Sequence, residues 1–226
     1  MTHKYLQNGF TLVEMSIVLV IISLLVGGLL APLSAQKEQE WRTDNAALLE
    51  QAREALVGFA LVNGRLPCPD TSTPPNGVEN GGCPRLNTDP NQGTLPWVTL
   101  GLDTGLDPWG SPIGYAVNGA FSNPLLTATA PFPLGTAGVG AGILRVSATP
   151  ANCAGPGTVA DNVPAILWSG SKNDYRSNDE NENTNLDRCF VSKDYNTIVG
   201  NEFDDQVLWL SPNILFGRMI KAGVLP

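Results

Sequence analysis

The chain has 226 residues, a formal net charge of −8 and a pI near 4.5, and this acidic balance argues against nucleic-acid binding, which needs a basic surface. Charged residues make up only 15% of it, whereas glycine (24) and proline (18) are frequent, which favours a loop-rich domain outside the cytosol. The one histidine is His3, and no G-x-S-x-G, P-loop or H-E-x-x-H pattern occurs, so a hydrolase is disfavoured.

The chain begins with a short polar stretch, residues 1–9, followed by an apolar run over residues 10–33. As a helix, this run is long enough to cross a bilayer core of about 30 Å. It nevertheless carries a carboxylate, Glu14, and a charge in lipid costs roughly 2.5–3.5 kcal/mol unless it is paired. A cleaved secretory signal peptide and a plain signal anchor are alternatives, but the cleavage site is poor and neither gives Glu14 a partner.

The stretch G-F-T-L-V-E, residues 9–14, closely resembles the processing site of type IV prepilins and type II secretion pseudopilins. The resemblance implies that a prepilin peptidase cuts after Gly9, that the new N-terminal residue Phe10 is methylated, and that Glu14 meets the N-terminal ammonium of a neighbouring subunit. Such pairing removes much of the penalty that each charge would have alone in lipid. The implied partners are other pilin or pseudopilin subunits, the prepilin peptidase, an inner-membrane assembly platform with its ATPase, and membrane lipid.

The apolar pattern and the resemblance together divide the chain into four parts. We predict a leader peptide over residues 1–9, a transmembrane and filament-core helix over residues 10–35, an amphipathic continuation of that helix over residues 36–63, and a globular pilin-like head over residues 64–226. The implied location is the bacterial inner membrane, crossed once, with the head in the periplasm and the assembled filament in the periplasm or at the cell surface.

The amphipathic part of the helix shows apolar residues at steps of three and four. The predicted apolar stripe consists of Leu48, Ala52, Ala55, Phe59 and Val62. Asn63, Gly64 and the later Pro67 are expected to end the helix. Residues 65–96 are dense in proline, glycine and asparagine and are predicted to form a long loop.

The four cysteines, Cys68, Cys83, Cys153 and Cys189, allow three disulfide pairings. Pairing of neighbours, Cys68 with Cys83 and Cys153 with Cys189, closes the shortest loops and is our prediction, with free buried thiols as the alternative. Export of the head favours disulfides. No C-x-x-C spacing is present, so a zinc site is disfavoured.

The remaining pattern predicts an α+β fold, with the long helix packed on a small antiparallel sheet in a loop-rich head. Short strands are predicted over residues 113–118, 142–148, 163–170, 189–193 and 205–211. A helix is expected after Pro212, with Leu215 and Met219 on one side. The stretch D-P-W-G-S-P-I-G-Y, residues 107–115, resembles a motif of major pseudopilins, which implies structural roles for Trp109 and Tyr115; a sugar-binding role is the alternative.

An ion site is predicted in residues 169–189, which are crowded with carboxylate and amide oxygens of the kind that calcium prefers. Resemblance to the calcium loop of major pseudopilins makes Asp174 and Asp205 the expected ligands. The segment departs from that pattern by a long Asn/Glu insertion, and a solvated polar loop is the alternative. No other cofactor is expected.

We therefore predict a structural subunit, minor or specialised, of a type IV pilus or a type II secretion pseudopilus, and not an enzyme. A filament-tip adhesin or ligand-binding module is the alternative. A signal-anchored periplasmic enzyme is a more distant one.

Overall fold

The computed structural model describes residues 9–81, 83, 91–122, 144–149, 157–172 and 177–224, without the side chains of residues 28–33. The chain forms two compact units, Met1–Arg42 and Thr43–Pro226. A long helix is followed by small sheets and short helices, which confirms the predicted α+β class. The helices are α1 (Leu12–Asn63), α2 (Trp97–Leu100), α3 (Gly119–Ser122), α4 (Asn178–Asn181) and α5 (Pro212–Lys221). The strands are β1 (Asn91–Thr94), β2 (Gly114–Val117), β3 (Leu144–Ser147), β4 (Thr158–Val163), β5 (Ala165–Ser169), β6 (Cys189–Val191) and β7 (Gln206–Leu210).

Helix α1 is continuous over 52 residues, as the sequence predicted. From Leu12 to Val26 its large apolar side chains are 46–87% exposed, so this part of the helix has an apolar surface all round. In the part of the chain that the structure describes, no helix has both the length and the apolarity to span a bilayer. The predicted span, residues 10–35, includes residues 28–33, whose side chains lie outside that part.

The predicted apolar stripe of α1 is partly right, because Ala52 is buried and Leu48 packs against the core, but Val62 lies outside the buried face. The buried face consists of Leu49, Ala52, Leu56, Val57 and Ala60, whereas Val62 is 85% exposed. Ala52 belongs to both sets, and steps of three and four fit a neighbouring face of the helix as well, so packing decides between the two faces. The end of the helix is as predicted, because Gly64 adopts a φ of 66° and donates its N–H to the carbonyl oxygen of Ala60 at 2.9 Å.

The first sheet has four antiparallel strands in the order β1-β2-β5-β7. Because side chains alternate along a strand, one face contributes Tyr115, Val117 and Leu167 to a core shared with α1 and α5. Leu215 and Met219 of α5 are buried in this core, as predicted. Tyr115 is fully buried and donates its hydroxyl to the carbonyl oxygen of Pro67 at 3.0 Å, so its role is structural.

The second sheet was not predicted and has the order β4-β3-β6. Strand β3 pairs antiparallel with β4 and parallel with β6. Leu144, Val146 and Phe190 of this sheet share a second core with Ile166 and Trp168 from the opposite face of the first sheet. The strands predicted near residues 142–148 and 189–193 thus exist, but they belong to a separate layer.

Three glycines lie directly under tryptophan rings. A Cβ atom at Gly114 would collide with the indole of Trp168, and one at Gly77 or Gly105 would collide with the indole of Trp97. Each indole therefore packs against glycine backbone. At Gly114 this contact brings β2 close to Trp168 in the second core, and at Gly77 and Gly105 it brings two loops together around Trp97.

The predicted long loop is held by specific contacts. Cys68 and Cys83 form the predicted disulfide, with 5.8 Å between their Cα atoms. Arg65 donates to both carboxylate oxygens of Glu79, at 2.8 and 2.7 Å, and the N–H of Cys68 donates to Glu79 at 3.0 Å. Cys189 is also in a disulfide, and Cys153, its expected partner, lies outside the described residues.

Candidate functional site

The predicted processing residues lie at the start of helix α1. Gly9 and Phe10 lie three and two residues before Leu12, the first residue of the helix, and Phe10 is 81% exposed. A Cβ atom at Gly9 would meet no other atom within 4 Å, so packing does not require glycine at this position. Glu14 lies in the first turn, also exposed.

Glu14 forms a reciprocal capping box with Thr11. The backbone N–H and the hydroxyl of Thr11 both donate to Glu14 Oε2 at 3.2 Å, and the backbone N–H of Glu14 donates to Thr11 Oγ1 at 3.2 Å. These contacts satisfy N–H groups that the first turn leaves without helical partners. Glu14 therefore has a partner within its own chain, which the sequence analysis missed although T-x-x-E is the usual signature of a capping box.

A second group of candidate residues lies in the head, where Glu180, Asp204 and Asp205 place carboxylate oxygens within 4.8 Å of one another. Together we call them the carboxylate cluster. All three residues are buried, with at most 6% of their surface exposed. The predicted ligand Asp205 belongs to this cluster, whereas the predicted ligand Asp174 lies outside the described residues. Within residues 169–189, for which a solvated polar loop was the alternative, Glu180 is buried, whereas Asn181, Asn185 and Asp187 are exposed.

Glu180 joins two segments of the chain through backbone N–H groups. Its Oε2 accepts the N–H of Ser177 at 2.8 Å in a capping box that starts α4, and its Oε1 accepts the N–H of Asp204 at 2.8 Å. Burial alone would raise the pKa of Glu180, but the hydrogen bonds from Ser177 and Asp204 outweigh burial and lower that pKa. These hydrogen bonds therefore favour the ionised form of Glu180, although the side chain is buried.

Asn183 links Asp205 to strand β6, because its side chain forms hydrogen bonds with both. Its side-chain N–H group donates to Asp205 Oδ2 at 2.7 Å and to the carbonyl oxygen of Val191 at 3.2 Å. Its side-chain oxygen accepts the N–H of Val191 at 2.7 Å. Asn183 is 1% exposed, so these contacts are shielded from water.

The donor chemistry of the carboxylate cluster fits a hard cation. Calcium takes 6–8 oxygen ligands, preferably carboxylates and carbonyls, and the cluster brings three buried carboxylates together. Neighbouring acidic residues have other partners: Asp179 pairs with Lys193, and Glu182 accepts from Asn185 at 3.0 Å. If a cation binds here, Asp204 and Asp205 are the residues that would hold it. Both carboxylate oxygens of Glu180 already accept backbone N–H groups.

Comparison with known families matches the N-terminal region only. The model of the prokaryotic N-terminal methylation motif matches residues 4–30. This motif is the signature of type IV pilins and pseudopilins, so the chain carries that signature, as predicted. The motif supports a processed structural subunit of this kind, membrane-anchored before it enters a filament. No curated protein and no solved structure matches the chain.

Sequence reasoning named Gly9, Phe10, Glu14 and Asp205, whose roles stay predictions. It did not name Asp204, Asn183 or the capping role of Thr11. For Glu180 a local signal existed, since Ser177 to Glu180 reads S-x-x-E. For Asn183 there was none, because its partners are 8 and 22 positions away along the chain.

Proposed function

We propose that the chain is a minor or specialised structural subunit of a type IV pilus or a type II secretion pseudopilus. A prepilin peptidase cuts after Gly9, and the new N-terminal residue, Phe10, is methylated. One observation carries this proposal: the methylation motif, residues 4–30, covers the start of a helix whose apolar side chains are exposed all round from Leu12 to Val26. Such a surface is stable only in lipid or against other apolar helices.

Assembly exchanges one apolar environment for another. Before assembly, the apolar part of α1 lies in the inner membrane with the head in the periplasm; an assembly platform driven by an ATPase then moves it into the filament. In the filament, Glu14 pairs with the N-terminal amine of Phe10 in a neighbouring subunit. The capping box with Thr11 gives the carboxylate hydrogen-bond donors until that amine arrives. Because an unpaired charge is costly in an apolar core, this pairing selects one register between subunits.

For the head, we propose that Asp205 of the carboxylate cluster binds calcium together with Asp204 and the predicted ligand Asp174. Three buried carboxylates in close proximity repel one another, and a divalent cation would offset that repulsion. Bound calcium would join the residues before β7 to Asp174.

Mass spectrometry of the protein extracted from membranes tests the processing step. In cells with an active prepilin peptidase, the chain should begin at N-methylated Phe10. Gly9→Leu should abolish processing without loss of folding, because a Cβ atom at Gly9 contacts nothing. Gly27→Leu is the matched control, since Gly27 is equally free of contacts, and it should be processed normally. A chain that retains Met1 in such cells would exclude the proposal.

A further inference from the structure

The segment between the predicted ligand Asp174 and Cys189 contains a buried amide that contacts the carboxylate cluster directly. Asn183 lies in a short 3-10 turn, Glu182–Thr184, that follows α4. Through one side chain it joins Asp205, which precedes β7, to Val191 at the end of β6. Strands β6 and β7 belong to different sheets, so this side chain connects the two layers.

The contacts of Asn183 are of the kind that a buried carboxylate needs. A buried carboxylate without hydrogen-bond donors is strongly destabilised, and an amide N–H at 2.7 Å from Asp205 Oδ2 reduces that cost. Asn183 is held in place from its other end, because its side-chain oxygen accepts the N–H of Val191. Its position is therefore fixed by strand β6.

Glu180 has a similar positioning effect on Asp204, the residue before Asp205. It fixes the backbone of Asp204 by accepting its N–H, while the capping box with Ser177 fixes Glu180. The two consecutive aspartates are thus each held by a different side chain of the residue 177–184 segment.

We infer that Asn183 is the positioning residue of the carboxylate cluster: its amide holds Asp205 and the end of β6 in their folded arrangement when no cation is bound. The inference rests on the proposed function only in one respect, namely that calcium is the cation that the carboxylate cluster binds. The head of this protein accordingly keeps its fold in the absence of calcium, and calcium adds stability to an arrangement that already exists.

Hydrogen exchange on the full processed chain in detergent micelles, with EGTA present, tests the positioning role. In EGTA, the amides from Asp204 to Leu208 of the wild-type chain should exchange far more slowly than in an unfolded chain, and added calcium should slow them further. Asn183→Leu should speed exchange of these amides about tenfold in EGTA, because Asp205 loses the hydrogen bond from Asn183. Asn181→Leu, an exposed asparagine two positions away, should leave exchange unchanged. Equal exchange in Asn183→Leu and wild type, or exchange of these wild-type amides in EGTA at the rate of an unfolded chain, would overturn the inference.

A second variant separates positioning from a general loss of packing. Asn183→Asp keeps the size of the side chain but places a carboxylate where the amide N–H meets Asp205. It should make the fold depend on cations: the thermal unfolding temperature should drop in EGTA relative to wild type. An unchanged unfolding temperature in EGTA would contradict the inference. If calcium raises the unfolding temperature of neither chain, the calcium proposal fails, while the EGTA measurements still decide the role of Asn183.

Discussion

The hydroxyl of Ser169 donates a hydrogen bond of 2.6 Å to Asp107, a buried carboxylate 62 positions earlier in the chain. The other oxygen of Asp107 accepts the N–H groups of Trp109 and Ser111, at 3.0 and 2.9 Å. Ser169 ends strand β5, so Asp107 joins the turn before β2 to the end of the neighbouring strand. This relationship gives a physical role to the stretch of residues 107–115 that resembles the pseudopilin motif.

Replacing Asp107 by alanine should lower the free energy of unfolding by about 2–4 kcal/mol, because three donors lose a charged acceptor in a buried place. Chemical denaturation of the full chain in detergent measures the change. Asp103→Ala, at an exposed carboxylate four positions earlier, should change it by less than about 0.5 kcal/mol. Equal effects of the two substitutions would contradict the role of Asp107.

The Glu79 carboxylate should make the head less stable in acid. Burial alone would raise the pKa of Glu79, but the hydrogen bonds from Arg65 and Cys68 and the Arg65 charge lower it below its ordinary value of 4.5. Because the folded pKa is the lower one, this contribution to stability is complete above the unfolded pKa and is lost as pH falls through the folded pKa. Glu79→Gln should flatten the loss of stability between about pH 5 and pH 3.

Unfolding by denaturant at a series of pH values measures this effect, with Asp103→Asn as the exposed control. The control should retain the pH dependence of the wild-type chain. A Glu79→Gln chain with the wild-type pH profile would show that the pair with Arg65 does not couple protonation to folding.

Removing the Cys68–Cys83 disulfide should destabilise the head by about 3 kcal/mol, the value expected for a closed loop of about 15 residues. The double substitution Cys68→Ser with Cys83→Ser is preferable to a reducing agent, because Cys189 is also disulfide-bonded. Thermal unfolding of the processed chain gives the measurement. No change would mean that the contacts of Arg65 and Glu79 suffice to close the loop.

Glu14→Leu should be cleaved normally but enter filaments about tenfold less efficiently, a difference of ~1.4 kcal/mol. The reason is that leucine cannot neutralise the amine of a neighbouring subunit. Thr11→Val, which removes the capping hydroxyl but keeps the carboxylate, should be incorporated better than Glu14→Leu. Immunoblots of sheared filaments against whole cells give the ratio, and normal incorporation of Glu14→Leu would refute the pairing.

Calcium at about 100 times its dissociation constant should raise the unfolding temperature of the processed chain by several degrees. Asp205→Asn should remove this response, whereas Asp194→Asn, at an exposed carboxylate nearby, should retain it. A flat response of the wild-type chain at millimolar calcium would rule out the cation.

The long helix, five of the strands and the last helix were predictable because each has a run of apolar residues with a clear period. Strand β1 was missed because Asn-Gln-Gly-Thr carries no such signal, and β4 because half of its six residues are polar and only Val163 is buried. The second sheet was missed for a different reason. Its parallel pair joins residues 145–147 to residues 189–191, and pairing over such a distance leaves no local mark in the sequence.

The candidate sites divide in the same way. Gly9, Phe10 and Glu14 are adjacent in the chain, so their pattern is readable directly. The carboxylate cluster is assembled from Glu180 and the pair Asp204 and Asp205, 24 positions later, and its positioning amide comes from a segment that reads only as polar.

The tryptophan rings over Gly77, Gly105 and Gly114 bear on how remote relatives of this head are to be recognised. At each position a Cβ atom would collide with an indole. Substitutions in the surrounding loops should therefore either retain both the glycine and the tryptophan or replace both residues together. A distant homologue should therefore be recognisable by these covarying pairs of a small and a large residue, even where overall sequence identity is low.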